Sequence, residues 1–222
     1  MKEIIYVFSA LISIVLIVIG MLWYSEETKN KNAKPNFVVM VLWTLIAIIN
    51  ATTYHLIVLD VFKSSLVLIG TAVNIYVLIV IIVNKNYILL KRDIGIVIIG
   101  SVFIVFLVLF TDLKEIHVIM QILNTLVYIP LIWGIYDRKG KEPFRPWLII
   151  SIATIFNLFV VLINYSDYWS LIQPLRSLFL QAIVLVLIKI REIKQLSFWE
   201  LPACRQRQVF FYWHLIVNSY KI

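Results

Sequence analysis

The sequence has 222 residues, of which 62% are hydrophobic and 14% charged, and its formal net charge is +8 at pH 7. Soluble domains contain about 45–50% apolar residues, so the composition excludes that class and favours a membrane protein. The charge alone would suit a nucleic-acid partner, but the basic residues do not gather on one soluble face, and we exclude that partner.

Seven apolar stretches of about 18 to 23 residues follow one another, and a helix of that length crosses the ~30 Å core of a bilayer. In chain order they cover residues 4–24, 37–59, 64–83, 94–111, 116–136, 147–165 and 169–189. The first is too long for the apolar core of a signal peptide and lacks a small-x-small cleavage site, so we expect a retained helix. The predicted fold class is an all-α membrane protein with seven transmembrane helices.

The basic residues are concentrated in alternate gaps between these spans. Sixteen of the twenty lie after the first, third and fifth spans or from Lys189 onward. Lys2, Lys63 and Lys114 lie on the opposite side, and Arg176 lies within the seventh span. By the positive-inside rule we expect an integral protein of the plasma (inner) membrane, with the N-terminus outside and the C-terminus in the cytoplasm.

The first three and the last three spans have the layout of an internal repeat. A shift of 107 residues places Thr44 on Ser151 and Asn50 on Asn157. Three crossings leave the chain on the far side of the membrane, so a second triplet of the same orientation needs one inverting helix before it. The predicted domains are a first three-helix repeat (1–83), a linker helix (84–115), a second three-helix repeat (116–190) and a cytoplasmic or interfacial tail (191–222).

Short motifs in both halves carry a family resemblance. They are Lys34-Pro35-Asn36, Trp43, Ile49-Asn50-Ala51, Ile129-Pro130, Arg138-Lys139, Glu142-Pro143, Pro146-Trp147, Asn157 and Gln173-Pro174. Over about residues 4–190 the chain resembles the SWEET and PQ-loop family of seven-helix transporters, including its uncharacterised bacterial-type members. The resemblance implies a 3+1+3 arrangement of parallel repeats around a solute pocket lined by Asn and aromatic side chains. Asn74 matches the family's third-helix Asn, and Ser177 stands where the second repeat has its Asn.

Five carboxamide side chains lie near the middle of five different spans. Counting ~1.5 Å per residue from the span ends gives similar depths for Asn50, Asn74, Asn157, Asn124 and Gln181. Such groups are costly in hydrocarbon and tend to face a bundle interior or a wet cavity. A neutral layer of donors and acceptors suits an uncharged or zwitterionic solute. The alternative is that these amides only tie the helices together.

Two further side chains are predicted to contact the solute. Arg176 lies roughly 10 Å inside the seventh span, at a depth that it shares with no acidic residue. It would bind an anionic group of the solute, or alternatively extend to the outer headgroups or bond carbonyls that Pro174 frees. Trp43 lies deeper than the tryptophans of the interfacial aromatic belt.

Three positions are predicted hinges. Pro130 and Pro174 each remove a backbone hydrogen bond and bend their helix, as alternating access requires. Pro130 matches the helix-breaking proline of the family, and Gly20 takes the corresponding place in the first span, which has no proline. A static kink is the alternative for each proline.

The sequence lacks the motifs of enzymes and metalloproteins. His55, His117 and His214 are scattered without metal-ligand spacing, and no P-loop, dinucleotide-binding or nucleophile-elbow motif occurs. The single cysteine, Cys204, leaves no intrachain disulfide to form. We therefore expect neither enzyme activity nor a metal or other cofactor.

The function predicted from these features is a membrane carrier that moves a small polar solute by alternating access between two three-helix repeats. Among the possible solutes, a sugar-like molecule is favoured. Two alternatives stay open: a carrier for amino acids or nicotinamide riboside-like nucleosides, and a non-transporting membrane scaffold or accessory subunit. The expected partners are the lipid bilayer and the solute, without nucleic acid, and a homo-oligomer is left open.

Overall fold

The structure, a computed structural model, describes residues 1–89, 112–136, 140–165 and 168–199, together with residues 95, 98, 100–102 and 104. Its long helices are α1 (Lys2–Lys29), α2 (Phe37–Val58), α3 (Val61–Asn84), α4 (Leu113–Tyr136), α5 (Phe144–Ile163) and α6 (Trp169–Trp199). All six are long and apolar enough to cross a membrane, which confirms six of the predicted spans and the integral membrane class. Most of the predicted fourth span, 94–111, and the tail beyond residue 199 lie outside the described residues.

The helix ends follow local side-chain chemistry. Asn36 begins α2 and Asp60 begins α3, each by accepting hydrogen bonds from two backbone N–H groups of the first turn. Leu59 ends α2 in the left-handed region, at φ 50°. Since only Leu59 and Asp60 separate the two helices, α2 and α3 run as antiparallel neighbours.

Helix α1 illustrates how the apolar and polar sides are arranged. Its exposed face carries Ile4, Phe8, Leu11, Val15, Ile19 and Leu22, and its buried face carries Ser9, Ala10, Ser13, Ile17, Gly20, Tyr24, Ser25 and Thr28. A soluble protein shows the reverse order, with its apolar side chains inside. The outward apolar face therefore suits a lipid surround, and the small inner residues suit close helix packing.

The six helices divide into two triplets by their contacts. Helix α3 contacts both α1 and α2, and α6 contacts both α4 and α5. Between the triplets, α1 packs along α5, and α2 packs along α4. The first helix of each triplet thus lies against the second helix of the other, and the space enclosed by these pairs holds the site described below.

Helices α1 and α5 approach most closely at Gly20. A Cβ atom built on Gly20 would lie 2.8 Å from Cγ1 of Ile150 and 3.3 Å from Cγ2 of Ile149. Two turns earlier, Ser13 donates a hydrogen bond of 2.9 Å from its Oγ to the carbonyl of Ala153. A small residue at position 20 is therefore required by the packing of the two triplets.

We expect Gly20→Ala to be less stable than Gly134→Ala by about 1–3 kcal/mol, because the added methyl group overpacks the α1–α5 contact. Gly134, in α4, is the matched control, since nothing lies within 4 Å of a Cβ there. Both variants gain the same helix propensity, so this gain cancels in the comparison. The measurement is thermal unfolding in detergent, and equal midpoints would contradict the close approach.

Candidate functional site

A cavity of about 150 Å³ lies between the two triplets, and residues of all six helices line it. Six of the seven predicted solute-binding residues are part of this lining: Trp43, Asn50, Asn74, Asn124, Arg176 and Gln181. The seventh, Asn157, is buried in α5 but does not line the cavity. Its Nδ2 has no hydrogen-bond partner among the described residues. The structure thus gathers all but one of these side chains around a single space.

Helix α6 contributes the most polar face of the cavity. Gln173 precedes Arg176 by three residues and Ser177 by four, and Gln181 follows Ser177 by four, so these side chains project on the same side of the helix. Nη2 of Arg176 donates to Oγ of Ser177 at 3.0 Å, whereas its buried Nε and Nη1 have no partner within the described chain. The amide oxygens of Gln173, Gln181 and Asn124 are likewise buried, and no described residue donates to them. The lining therefore has hydrogen-bonding capacity that these residues do not use themselves.

Asn50 differs from the other amides because it is partnered. Nε2 of Gln121, on α4, donates to Oδ1 of Asn50, on α2, at 2.5 Å. Gln121 is fully inside the bundle, and its Nε2 also lies 3.5 Å from Nε2 of His117. The bond crosses between the triplets, so Asn50 both lines the cavity and links two helices.

Aromatic rings form one wall of the cavity. The rings of Trp43 and Trp147 are stacked with centroids 5.8 Å apart, and Tyr128 meets Trp43 edge-on at 4.9 Å. All three residues line the cavity. Polar groups of α6 and α4 together with a flat apolar wall are the usual composition of a small-molecule pocket.

Loops from both triplets meet at one end of the bundle, formed by residues 30–36 and 140–143, which we call the basic end. Lys34 and Lys141 exchange two backbone hydrogen bonds, with N···O distances of 2.8 and 3.3 Å, as an isolated antiparallel bridge. Ile88, just after α3, exchanges backbone bonds with Pro35 and Phe37 on the other side of the same loop. Main-chain pairing therefore joins the loops at this end, and Pro35 and Asn36 of the first loop line the cavity.

A buried carboxyl group, Glu142, lies just inside the basic end and lines the cavity. Its Oε2 accepts hydrogen bonds from Oη of Tyr24 at 2.9 Å and from Nε1 of Trp147 at 3.0 Å. Burial raises the pKa of Glu142 to about 7, although these two bonds and the charge of Arg191 favour the ionised form. Glu142 thus connects α1 to α5 and titrates near neutral pH.

The predicted hinge residues are two prolines inside helices and one glycine at a contact between helices. Pro130 is within α4 and Pro174 within α6, and both helices continue through their proline. Both prolines are buried, and neither lines the cavity. Gly20 lies in the contact between α1 and α5, and Pro174 precedes Arg176 by two residues. A change of bend at Pro174 would therefore displace the guanidinium group.

The predicted site residues did not include several residues of the site, among them the polar side chains of Gln121, Gln173 and Glu142 and the aromatic rings of Tyr128 and Trp147. The two glutamines carry a readable signal, since each is a carboxamide inside an apolar span and close in sequence to a predicted site residue. Glu142 carries no such signal because it lies in a loop outside the spans. Only the pairing of the loops brings its carboxyl group to the cavity.

Comparison with known proteins identifies no relative. No protein-family model matches the chain, and no curated protein or solved structure matches it. Across the part of the chain that the structure describes, no group of three His, Cys, Asp or Glu side chains could hold a metal ion. The function is therefore inferred from the geometry of the cavity.

Proposed function

We propose that the protein is a membrane carrier that moves a small polar solute by alternating access between two three-helix repeats. The observation that carries this proposal is the cavity inside a bundle of apolar helices, with buried amide and guanidinium groups that lack partners among the described residues. Unpaired polar groups are costly at membrane depth, and polar residues there commonly mark solute pathways. A bound solute would supply the missing partners.

The helix contacts support the 3+1+3 plan. In each triplet the third helix contacts the first and the second. The cross contacts, α1 with α5 and α2 with α4, exchange with each other under a two-fold axis along the membrane normal, as expected for parallel repeats. In this proposal the predicted fourth span, 94–111, is the helix that inverts the chain between the triplets.

The pairing of the loops at the basic end supports alternation between two states. There the loops are joined by the Lys34–Lys141 pair, and Glu142 connects α1 and α5 just beneath it. Rocking of the two triplets would separate these contacts and open the cavity at this end. The excess of Lys and Arg in these loops favours a cytoplasmic basic end, with the N-terminus outside.

A non-transporting scaffold or accessory subunit is the second candidate. The bond between Gln121 and Asn50 favours it, because it uses an amide of the cavity to hold α2 and α4 together. A scaffold role gives no reason why donors of Arg176 and the amide oxygens around it have no partner among the described residues.

Among solutes, the resemblance puts a sugar first, followed by amino acids and nicotinamide riboside-like nucleosides.

The test is uptake of labelled sugars, amino acids and nucleosides by liposomes that contain the purified protein. We expect saturable uptake of at least one solute, which Ala47→Phe abolishes by filling the cavity. Leu45→Phe, on the exposed face of the same helix, is the control and should transport normally. Entry no faster than into empty liposomes for every solute, with a folded protein, would contradict the proposal.

A further inference from the structure

We propose that the solute of this cavity is a small carboxylate that carries neighbouring N–H or O–H donors, as α-amino and α-hydroxy acids do. This inference deepens the proposed function and rests on it. The inference is based on buried groups of the lining that have no hydrogen-bond partner in the described part of the chain, namely the guanidinium of Arg176 and three neutral amide oxygens.

The cation is Arg176, whose surroundings favour binding of an anion. Its Nε and Nη1 are buried with no partner among the described residues, and the side chain lines the cavity. Ion pairs such as Lys29 with Glu26 and Lys189 with Glu192 lie elsewhere in the described part of the chain. A buried charge without a counter-ion is strongly unfavourable. One negative charge on the solute would compensate it.

The acceptors are the amide oxygens of Asn124, Gln173 and Gln181. Gln173 and Gln181 lie within five residues of Arg176 on the same face of α6, and Asn124 lines the same cavity from α4. These oxygens require donors, which a carboxylate group does not have. An ammonium or hydroxyl group next to the carboxylate would satisfy them while the carboxylate binds Arg176.

The size of the cavity and its second ionisable group further limit the class of possible solutes. A cavity of about 150 Å³ is comparable to an engineered one that holds benzene, which indicates a solute of roughly six to ten heavy atoms. Glu142 is the second ionisable group of the lining. Its pKa is about 7, so above neutral pH its negative charge would repel a second anionic group and favour a single carboxylate over a dicarboxylate or a phosphate ester.

Calorimetric titration of the detergent-solubilised protein tests the inference. The probes are serine, leucine and lactate, their amides, propionate as a carboxylate without a donor, and glucose as a neutral polyol. We expect the amino or hydroxy acids to bind, and the amides, propionate and glucose to bind roughly 10- to 100-fold more weakly, since each leaves one set of groups unpaired. Arg176→Gln should remove the preference for the acid over its amide, and Arg176→Lys should keep part of it.

Two results separate this inference from the carrier proposal. Saturable glucose uptake that is unchanged in Arg176→Gln would overturn the carboxylate inference and leave the carrier in place. Absence of both binding and uptake for every probe would overturn both. Should Arg176→Gln fail to fold, Asn124→Leu carries the test, because it removes one acceptor and no charge. It should weaken binding of serine or leucine more than binding of propionate, and equal weakening would overturn the inference.

Discussion

A disulfide bond between positions 34 and 141 is expected to stop uptake completely for as long as it is oxidised. Lys34 and Lys141 form a hydrogen-bonded antiparallel pair, and the Cα atoms of such pairs are about 5.5 Å apart, within the range that a disulfide spans. Both residues are exposed, so cysteine should be tolerated there. Because the proposed cycle opens the basic end, a covalent link at this place would hold the protein in one state.

The experiment uses Lys34→Cys/Lys141→Cys in a chain whose single native cysteine is removed by Cys204→Ser. Uptake is measured after oxidation and again after addition of a reductant. We expect background uptake in the first case and recovery in the second, with each single-cysteine variant unaffected by either treatment. Full uptake by a quantitatively cross-linked protein would contradict opening at the basic end.

Loss of the Glu142 side chain is expected to cost the most stability of any single substitution at the basic end. Glu142→Ala leaves the Oη of Tyr24 and the Nε1 of Trp147 without their acceptor, and both residues are about 95% buried. Each unsatisfied buried donor costs about 1–3 kcal/mol, so we expect the two together to lower the free energy of unfolding by about 2–6 kcal/mol. Glu142→Gln retains an oxygen that both donors can use and should lose far less. Similar unfolding midpoints for the two variants would contradict the contacts.

The same residue makes stability depend on pH. Burial raises the pKa of Glu142 from about 4.5 to about 7, so folding favours its protonated form. The contribution of protonated Glu142 to the free energy of unfolding is fully present below about pH 4.5 and is lost as the pH rises through about 7. We therefore expect the thermal midpoint of the unmodified chain to fall between pH 5 and pH 8. Glu142→Gln removes the titrating group and should flatten that part of the curve, and an unchanged slope would exclude Glu142 as its source.

The spans are predictable from the sequence because the bilayer imposes a simple condition. A helix that crosses hydrocarbon needs about 20 apolar residues, and the boundaries of α2 and α3 agree with the predicted spans within a few residues. The helices extend beyond the spans where polar residues can continue a helix in water, as at Glu26 and Glu27 in α1. Length and hydropathy are local properties, and local properties can be read from sequence.

The candidate site is predictable only in part, because only some of its determinants are local properties of the sequence. Depth along a helix can be counted, and it selects Asn50, Asn124 and Gln181 as residues at one level. The side chains that face the cavity are also determined by the rotation of each helix about its axis. That rotation depends on which helices pack together and cannot be obtained from depth. Asn157 lies at a suitable level yet does not line the cavity. Gln121 takes the role of partner to Asn50 because α2 packs along α4, a contact that no local pattern indicates.

The bridge between Lys34 and Lys141 has a consequence for how this protein can change in evolution. Its hydrogen bonds join main-chain atoms, so the side chains at both positions are free to vary without loss of the pairing. An insertion or deletion in either loop would shift the register and misalign the donors with their acceptors. Homologous chains should therefore preserve the lengths of these loops more strictly than the identities of their residues.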